Sequence, residues 1–332
     1  MSNFKHLNFE EQIALLESRN MVFDDKEKAQ NTLAVIPYYK IKEFAHPFRR
    51  NISNDSIDYQ GVNFQRILSR YYQDKNLRNH LFHILEDIEV ALKTQLSYIL
   101  GKNYGAYGYL TFKNWCDTNE YCKHYLRIKE EEFEKKLKKA IKKSSSFEIK
   151  EKLEMDNVDL PPVWLAVDLL TFGQVINMIN MMSNRNISYI ANCYNCTNEE
   201  LKSWLKCLNF IRNVCAHNTN FIDTKLITHP LIADSWKSTL YKNNNSSYTN
   251  RIALPLMIIL HMQKCVNKKY KFEQMNESIR KLVKDDEETA KYFGFKDLKS
   301  VNDLFPTKNN GRKSGVKKGK NSKKSRKKDK QS

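Results

Sequence analysis

An arginine, an asparagine and a histidine stand close together in the string FIRNVCAHNTN, as Arg212, Asn213 and His217. Histidine exchanges a proton near neutral pH, so an imidazole here could take the proton of a ribose 2′-hydroxyl. The resulting oxyanion would attack the adjacent phosphate, and a guanidinium would stabilise the charge developing on the phosphoryl oxygens. The asparagine could orient the imidazole or bind a phosphate oxygen. DNA lacks the 2′ nucleophile, so such a site would cut RNA and spare DNA, with no metal or cofactor. The same residues also fit a plainer role: a helix-end histidine bonded to backbone and an arginine in a surface ion pair. The spacing alone leaves both open.

A helix has to carry the three. From Asn198 to Phe210, Leu201, Trp204, Leu205 and Leu208 recur at helical steps. Phe210, Ile211 and Val214 are expected to seat the motif in an apolar core. On an ideal helix Arg212 and His217 lie ~140° apart around the axis, whereas Asn213 and His217 share a face. Arg212 must then curl towards His217, which suits a long planar cation that clamps a phosphate. Glu89, on the polar side of another helix, could hydrogen-bond that arginine.

The remaining pattern is helical as well. Glycine and proline number only 9 and 7, and strand-like alternation is nowhere sustained, so the expectation is an all-α chain. Asn8 followed by Glu11 is a helix start running to about Asn20, and a second helix from Asp24 or Asp25 ends before Pro37. NISNDSID reads as a loop. Leu77, Leu81, Ile84, Leu85, Ile88, Leu92, Leu96 and Ile99 form an apolar stripe from Asn76 to Leu100, with Gly101 as the stop. Thr118 to Lys143 predicts an exposed, charged helix, and Val163 to Met182 a buried central one. NNNSSYTN, Asn243 to Asn250, reads as a polar linker. It divides a domain over 1–242 from a helical extension over 251–307, with helices at Arg251–Val266 and Phe272–Lys284. Residues 308–332 are expected to be a disordered basic tail.

Charge and cysteine content narrow the function classes. The net charge is +18, and the tail from Lys308 carries 12 Lys or Arg against one acid. A basic body with a separate basic tail fits a nucleic-acid partner, and also simple solubility. Lys313, Lys317, Lys318, Lys323, Lys324, Arg326, Lys327 and Lys328 are the tail residues expected to touch RNA. Seven irregular cysteines argue against a disulfide framework, and the lone Cys193-x2-Cys196 is half of a zinc site, so no metal is expected. The run Ile252 to Leu260 contains Pro255 and is too short to cross a bilayer. A cytoplasmic protein without a membrane partner is expected. His80, His83, His229 and His261 match no motif and suit core or surface roles.

The string RNVCAH, preceded by an apolar helix, resembles the signature of the Abi (abortive infection, D/F-type) family, a branch of the HEPN superfamily. The resemblance extends to ILSRYYQDKNLRNHLFHILEDIEVALKTQLSYIL, to the glycine-aromatic turn after it and to PPVWLAVDLLTFGQVINMI, in that order, covering roughly Val22 to Pro230. It implies a HEPN-type helical bundle with added N- and C-terminal helices, and an endoribonuclease that defends against phage. It also implies a homodimer whose two Arg-x4-His motifs face one another, and RNA as substrate or as a noncoding partner. A non-catalytic RNA-binding or phage-sensing protein on the same scaffold is the alternative. The family often continues with a second histidine, an arginine, a tryptophan and an asparagine. Asn218, Asn220, Ile222 and Asp223 stand here instead, which puts substrate grip in doubt more than cleavage.

Overall fold

A computed structural model describes residues 6–53, 56–156 and 158–306. Among the described residues the chain is all-α apart from one short antiparallel strand pair. In order come α1 (Phe9–Glu17), α2 (Lys26–Leu33), α3 (Tyr38–Ala45), β1 (Arg50–Ser53), β2 (Ser56–Asp58), α4 (Phe64–Tyr104), α5 (Phe112–Trp115), α6 (Lys123–Lys143) and α7 (Phe147–Asp156). These are followed by α8 (Val163–Ala166), α9 (Phe172–Met181), α10 (Asn184–Cys193), α11 (Asn198–Ala216), α12 (Ala253–Val266), α13 (Glu273–Val283), α14 (Glu287–Tyr292) and α15 (Leu298–Leu304).

The spine is α4, 41 residues long and therefore about 60 Å from end to end. All eight members of its expected apolar stripe are buried, and α3, α8, α9, α10, α11, α12 and α13 pack against it. The helix starts twelve residues before Asn76, at Phe64, where Asn63 caps it by accepting the Gln65 N–H. It also runs past Gly101, which does not act as a stop. A side chain at Gly101 would meet Val163 Cγ1 at 3.4 Å, so that glycine permits close packing of α8. The stop is Gly105, whose φ of 75° is easy only for glycine.

Two other expectations are corrected. NISNDSID contains most of a hairpin, with Arg50 paired to Asp58 and Asn51 to Ile57. The apolar run from Val163 to Met182 is not one helix. It breaks after a 3₁₀ turn, Val167–Leu169, and restarts at Thr171. There the hydroxyl oxygen of Thr171 accepts the Gln174 N–H while the Gln174 side chain accepts the Thr171 N–H. That reciprocal cap fixes a new helix start inside an apolar run.

The C-terminal helices share the same core. Pro255 sits in the first turn of α12, where its missing N–H is not needed. Gln263 on α12 donates to Asp87 on α4 at 2.7 Å. The polar segment from Asn243 forms a tight turn, with Asn243 Oδ1 accepting the N–H groups of Asn245 and Ser247. Among the described residues, no helix is long and apolar enough to cross a membrane.

Candidate functional site

Helix α11 starts with a reciprocal cap between Thr197 and Glu200 and continues beyond Phe210 to Ala216, so it carries the motif on its last turn and a half. Leu201, Trp204, Leu205, Leu208, Ile211 and Cys215 are buried. Trp204 stacks on Trp236, and the His261 ring meets both edge-on. His261 thus has a core role. The opposite face exposes Lys206, Phe210, Asn213 and His217, which recur at steps of four, three and four. Asn213 and His217 therefore share one solvent stripe, as their spacing predicts. Phe210, expected in the core, is 36% exposed and belongs to that stripe.

Arg212 lies on the flank of the stripe, half-buried. Its guanidinium carbon stands 5.8 Å from the centre of the Phe82 ring on α4, and its Nε is buried without a hydrogen-bond partner. Glu89 does not reach it; that carboxylate pairs with Lys93 at 3.1 Å. His217 ends the helix, its backbone N–H donating to the Asn213 carbonyl at 3.0 Å. Asn218 takes φ 55°, and the Thr219 N–H returns to the Val214 carbonyl at 3.1 Å. This left-handed stop, usually a glycine, is one asparagine tolerates.

The segment after the motif is held by a stripe on α4 that sequence reasoning missed. Arg70, Asp74 and Arg78 follow one another at four-residue intervals. Asp74 is fully buried. One of its carboxylate oxygens accepts the backbone N–H groups of Phe221 and Ile222 at 2.9 and 3.0 Å, and the other accepts Arg78 Nε at 2.7 Å. Burial pushes the Asp74 carboxyl above the ordinary carboxylate value, while the Arg78 guanidinium and the two N–H donors pull it back. Arg78 also donates to Asn218 Oδ1 at 3.1 Å. Asn220 donates to Asp223, and Arg70 bonds Asp223 at 2.6 Å. Asn218, Asn220, Ile222 and Asp223, the four residues singled out after the motif in the sequence, are the ones this clamp holds. The readable signal was the Asp74–Arg78 spacing, an acid four residues before an arginine.

Neighbouring groups limit the chemistry. Cys215, inside RNVCAH, is buried and its thiol is pushed up to about 12 by that burial, so it is no nucleophile at neutral pH. Cys193 contacts Gln95 at 3.6 Å. Among the described residues, no three His, Cys, Asp or Glu side chains converge as a metal site. A cleft of about 910 Å³ lies beyond Arg70, and Arg212, Asn213 and His217 do not line it. The motif occupies an open helix end instead. The tail residues Lys313, Lys317, Lys318, Lys323, Lys324, Arg326, Lys327 and Lys328 lie outside the described residues.

Neither the curated proteins nor the solved structures contain a match to this chain. A match to the family described as Abi-like protein does exist, over residues 31–223. It runs from within α2 through the whole of α4 and α11, and ends at Asp223, the residue that Arg70 holds. Covering more than half of the 332 residues, it shows that the chain belongs to the Abi-like protein family.

Proposed function

We propose that this protein is a metal-independent endoribonuclease of an abortive-infection defence system. The observation that carries the reading is the shared exposed stripe of Asn213 and His217 at the open end of α11, with half-buried Arg212 on its flank. His217 takes the 2′-hydroxyl proton. The 2′ oxygen attacks the adjacent phosphorus, and Arg212 stabilises the charge that accumulates on the phosphoryl oxygens. The bond to the 5′ oxygen breaks and that oxygen is protonated, leaving a cyclic phosphate on the other product. Asn213 orients the imidazole or the phosphate.

A homodimer completes the reading. The sequence carries one convincing copy of the motif, its Asn213 and His217 are exposed and lie outside the cleft of about 910 Å³, and the exposed rings of Phe82 and Phe210 border it. A second copy docked there would bring two motifs face to face and exclude water from the scissile phosphate. The basic tail supplies further contacts to the RNA backbone.

The deciding experiment incubates labelled RNA with purified protein in EDTA, wild type beside His217→Ala. Cyclic-phosphate ends from the wild type alone are expected. Full activity in a folded His217→Ala variant would rule the assignment out, and strict dependence on Mg²⁺ would count against it.

A further inference from the structure

The cleft beyond Arg70 is built for a polyanion. Its volume is about 910 Å³, and Arg66, Arg70, Lys225, Arg251, Lys281 and Lys284 contribute to its wall. Lys291 adds a further cation, against the carboxylates of Asp286 and Glu288. Pockets of this size that hold small molecules are mostly apolar with a few polar groups; this one is a concentration of positive charge. Some of the charge is compensated. Arg70 pairs with Asp223, Lys281 with Glu277 and Lys291 with Glu288. Among the described residues, Arg66, Lys225 and Lys284 form no ion pair within 4 Å, although the Arg66 charge acts on Asp286 of the same wall. Like charges lining one concavity focus a field that only an anion relieves.

Aromatic rings alternate with these cations. The Arg66 guanidinium lies 4.7 Å from the centre of the Phe48 ring and that of Arg251 lies 4.3 Å from Tyr292, and Tyr248 adds a further ring to the wall. Cations that track a phosphate backbone, interleaved with flat rings on which bases stack, make up the surface that grips single-stranded nucleic acid. The volume admits a few nucleotides of one strand, not a duplex. At the rim, Lys284 and Asp285 both take left-handed backbone angles, φ 50° and 54°. A glycine or asparagine usually occupies the first of these at a helix end; here the strained position keeps a cation.

The cleft is also tied to the motif. Asp223, six residues after His217, bonds both Arg70 and Tyr292 of the wall. Arg70 and Arg78 are eight residues apart, about 12 Å along α4. Most of the wall lies beyond residue 223, outside the family match.

We propose that this cleft binds a single-stranded RNA, holding its phosphates between α4 and the segment from Lys225 to Tyr292, as the grip on the substrate cut at His217. The identification of RNA rests on the nuclease reading above; the binding itself does not require cleavage. The test uses full-length protein carrying His217→Ala, a short fluorescent single-stranded RNA, and anisotropy titrations across a salt series. Adding Arg66→Ala, Lys225→Ala and Lys284→Ala, all exposed positions, should weaken binding at least tenfold at low salt. It should also reduce the slope of log K against log salt by about 2, since each phosphate neutralised on a single strand accounts for about 0.7. Tyr248→Ala should weaken binding about tenfold with the slope unchanged. Unchanged affinity and slope in the triple variant would overturn the proposal, as would tight binding of free ATP in the cleft with none of the oligonucleotide. If wild type cleaves RNA and the triple variant does so at an unchanged KM, the cleft assignment fails and the nuclease stands. Cleft-dependent binding with no cleavage by the wild type would support the cleft and remove the nuclease.

Discussion

Arg78 on α4 and Asn218, one residue past His217, are joined by a 3.1 Å hydrogen bond from Nη1 to Oδ1. With Asp74 gripping the next turn of chain at Phe221 and Ile222, the bond sets where α11 stops and how its end faces outwards. Asp74→Ala strands a buried guanidinium and two backbone donors, so a loss of about 3–5 kcal/mol is expected. Asp74→Leu combined with Arg78→Met should recover the part owed to the stranded guanidinium, because no charge is left buried, while the Phe221 and Ile222 N–H groups stay unpaired. Urea denaturation midpoints of the single and double variants measure both. A double variant no more stable than Asp74→Ala would show that the pair is not the clamp.

On the proposed mechanism, charge alone is not enough at position 212. Arg212→Lys keeps the cation but loses the planar fork that would meet two phosphoryl oxygens and the flat face beside Phe82. Its cleavage rate is expected to fall as far as that of His217→Ala, by about 10² to 10⁴. His217 is exposed, so its replacement should shift stability by no more than about 0.5 kcal/mol. Initial rates on labelled RNA, read beside thermal melts, separate damaged chemistry from a damaged fold.

The left-handed backbone at Asn218 makes a graded prediction. Asn218→Gly loses only the Arg78 bond. Asn218→Val loses the same bond and adds a conformational penalty of about 1–2 kcal/mol. The melting temperature should therefore order as wild type, glycine variant, valine variant. Equal melting of the last two would mean that the α11 stop relaxes.

Thiol reactivity reports on the same turn. Cys207 and Cys215 are buried, with thiols pushed up to about 12, while Cys122 is exposed. Mass spectrometry after brief maleimide treatment at neutral pH should find Cys122 labelled and the other two intact until denaturant is added. Rapid labelling of Cys215 would reveal that the last turn of α11 opens in solution.

Truncation after Thr307 removes the 12 cations of the tail. RNA affinity should drop and its dependence on salt should flatten, with an unchanged melting temperature. Unaltered binding would leave the tail a solubilising role only.

The parts legible in the sequence share one property, a regular apolar period or a short polar signature. The eight-residue stripe of α4 and the Asn8–Glu11 cap appear where the spacing predicts them. So does the common face of Asn213 and His217. What escaped was polar burial. Over Phe64 to Asn76 the helix buries only Phe64, Ile67 and Asp74, and an aspartate on a helix reads as a solvent face until its partners are known. Those partners, Phe221 and Ile222, are about 150 residues away and bond through backbone N–H groups that no side-chain pattern records. The break at Thr171 escaped for the opposite reason. Its flanks are apolar all round, and they mask the local Thr-x2-Gln signature.

The reach of α4 also bears on how this protein can be cut, inherited or recombined. Its inner half is covered by helices and a loop that come after residue 223, through Asp87 with Gln263 and His83 with Tyr270. A gene fragment ended at the limit of the shared family block would leave that greasy surface bare and Asp223 without Tyr292. Shuffling that block between relatives should therefore succeed only when the downstream codons of its own lineage travel with it.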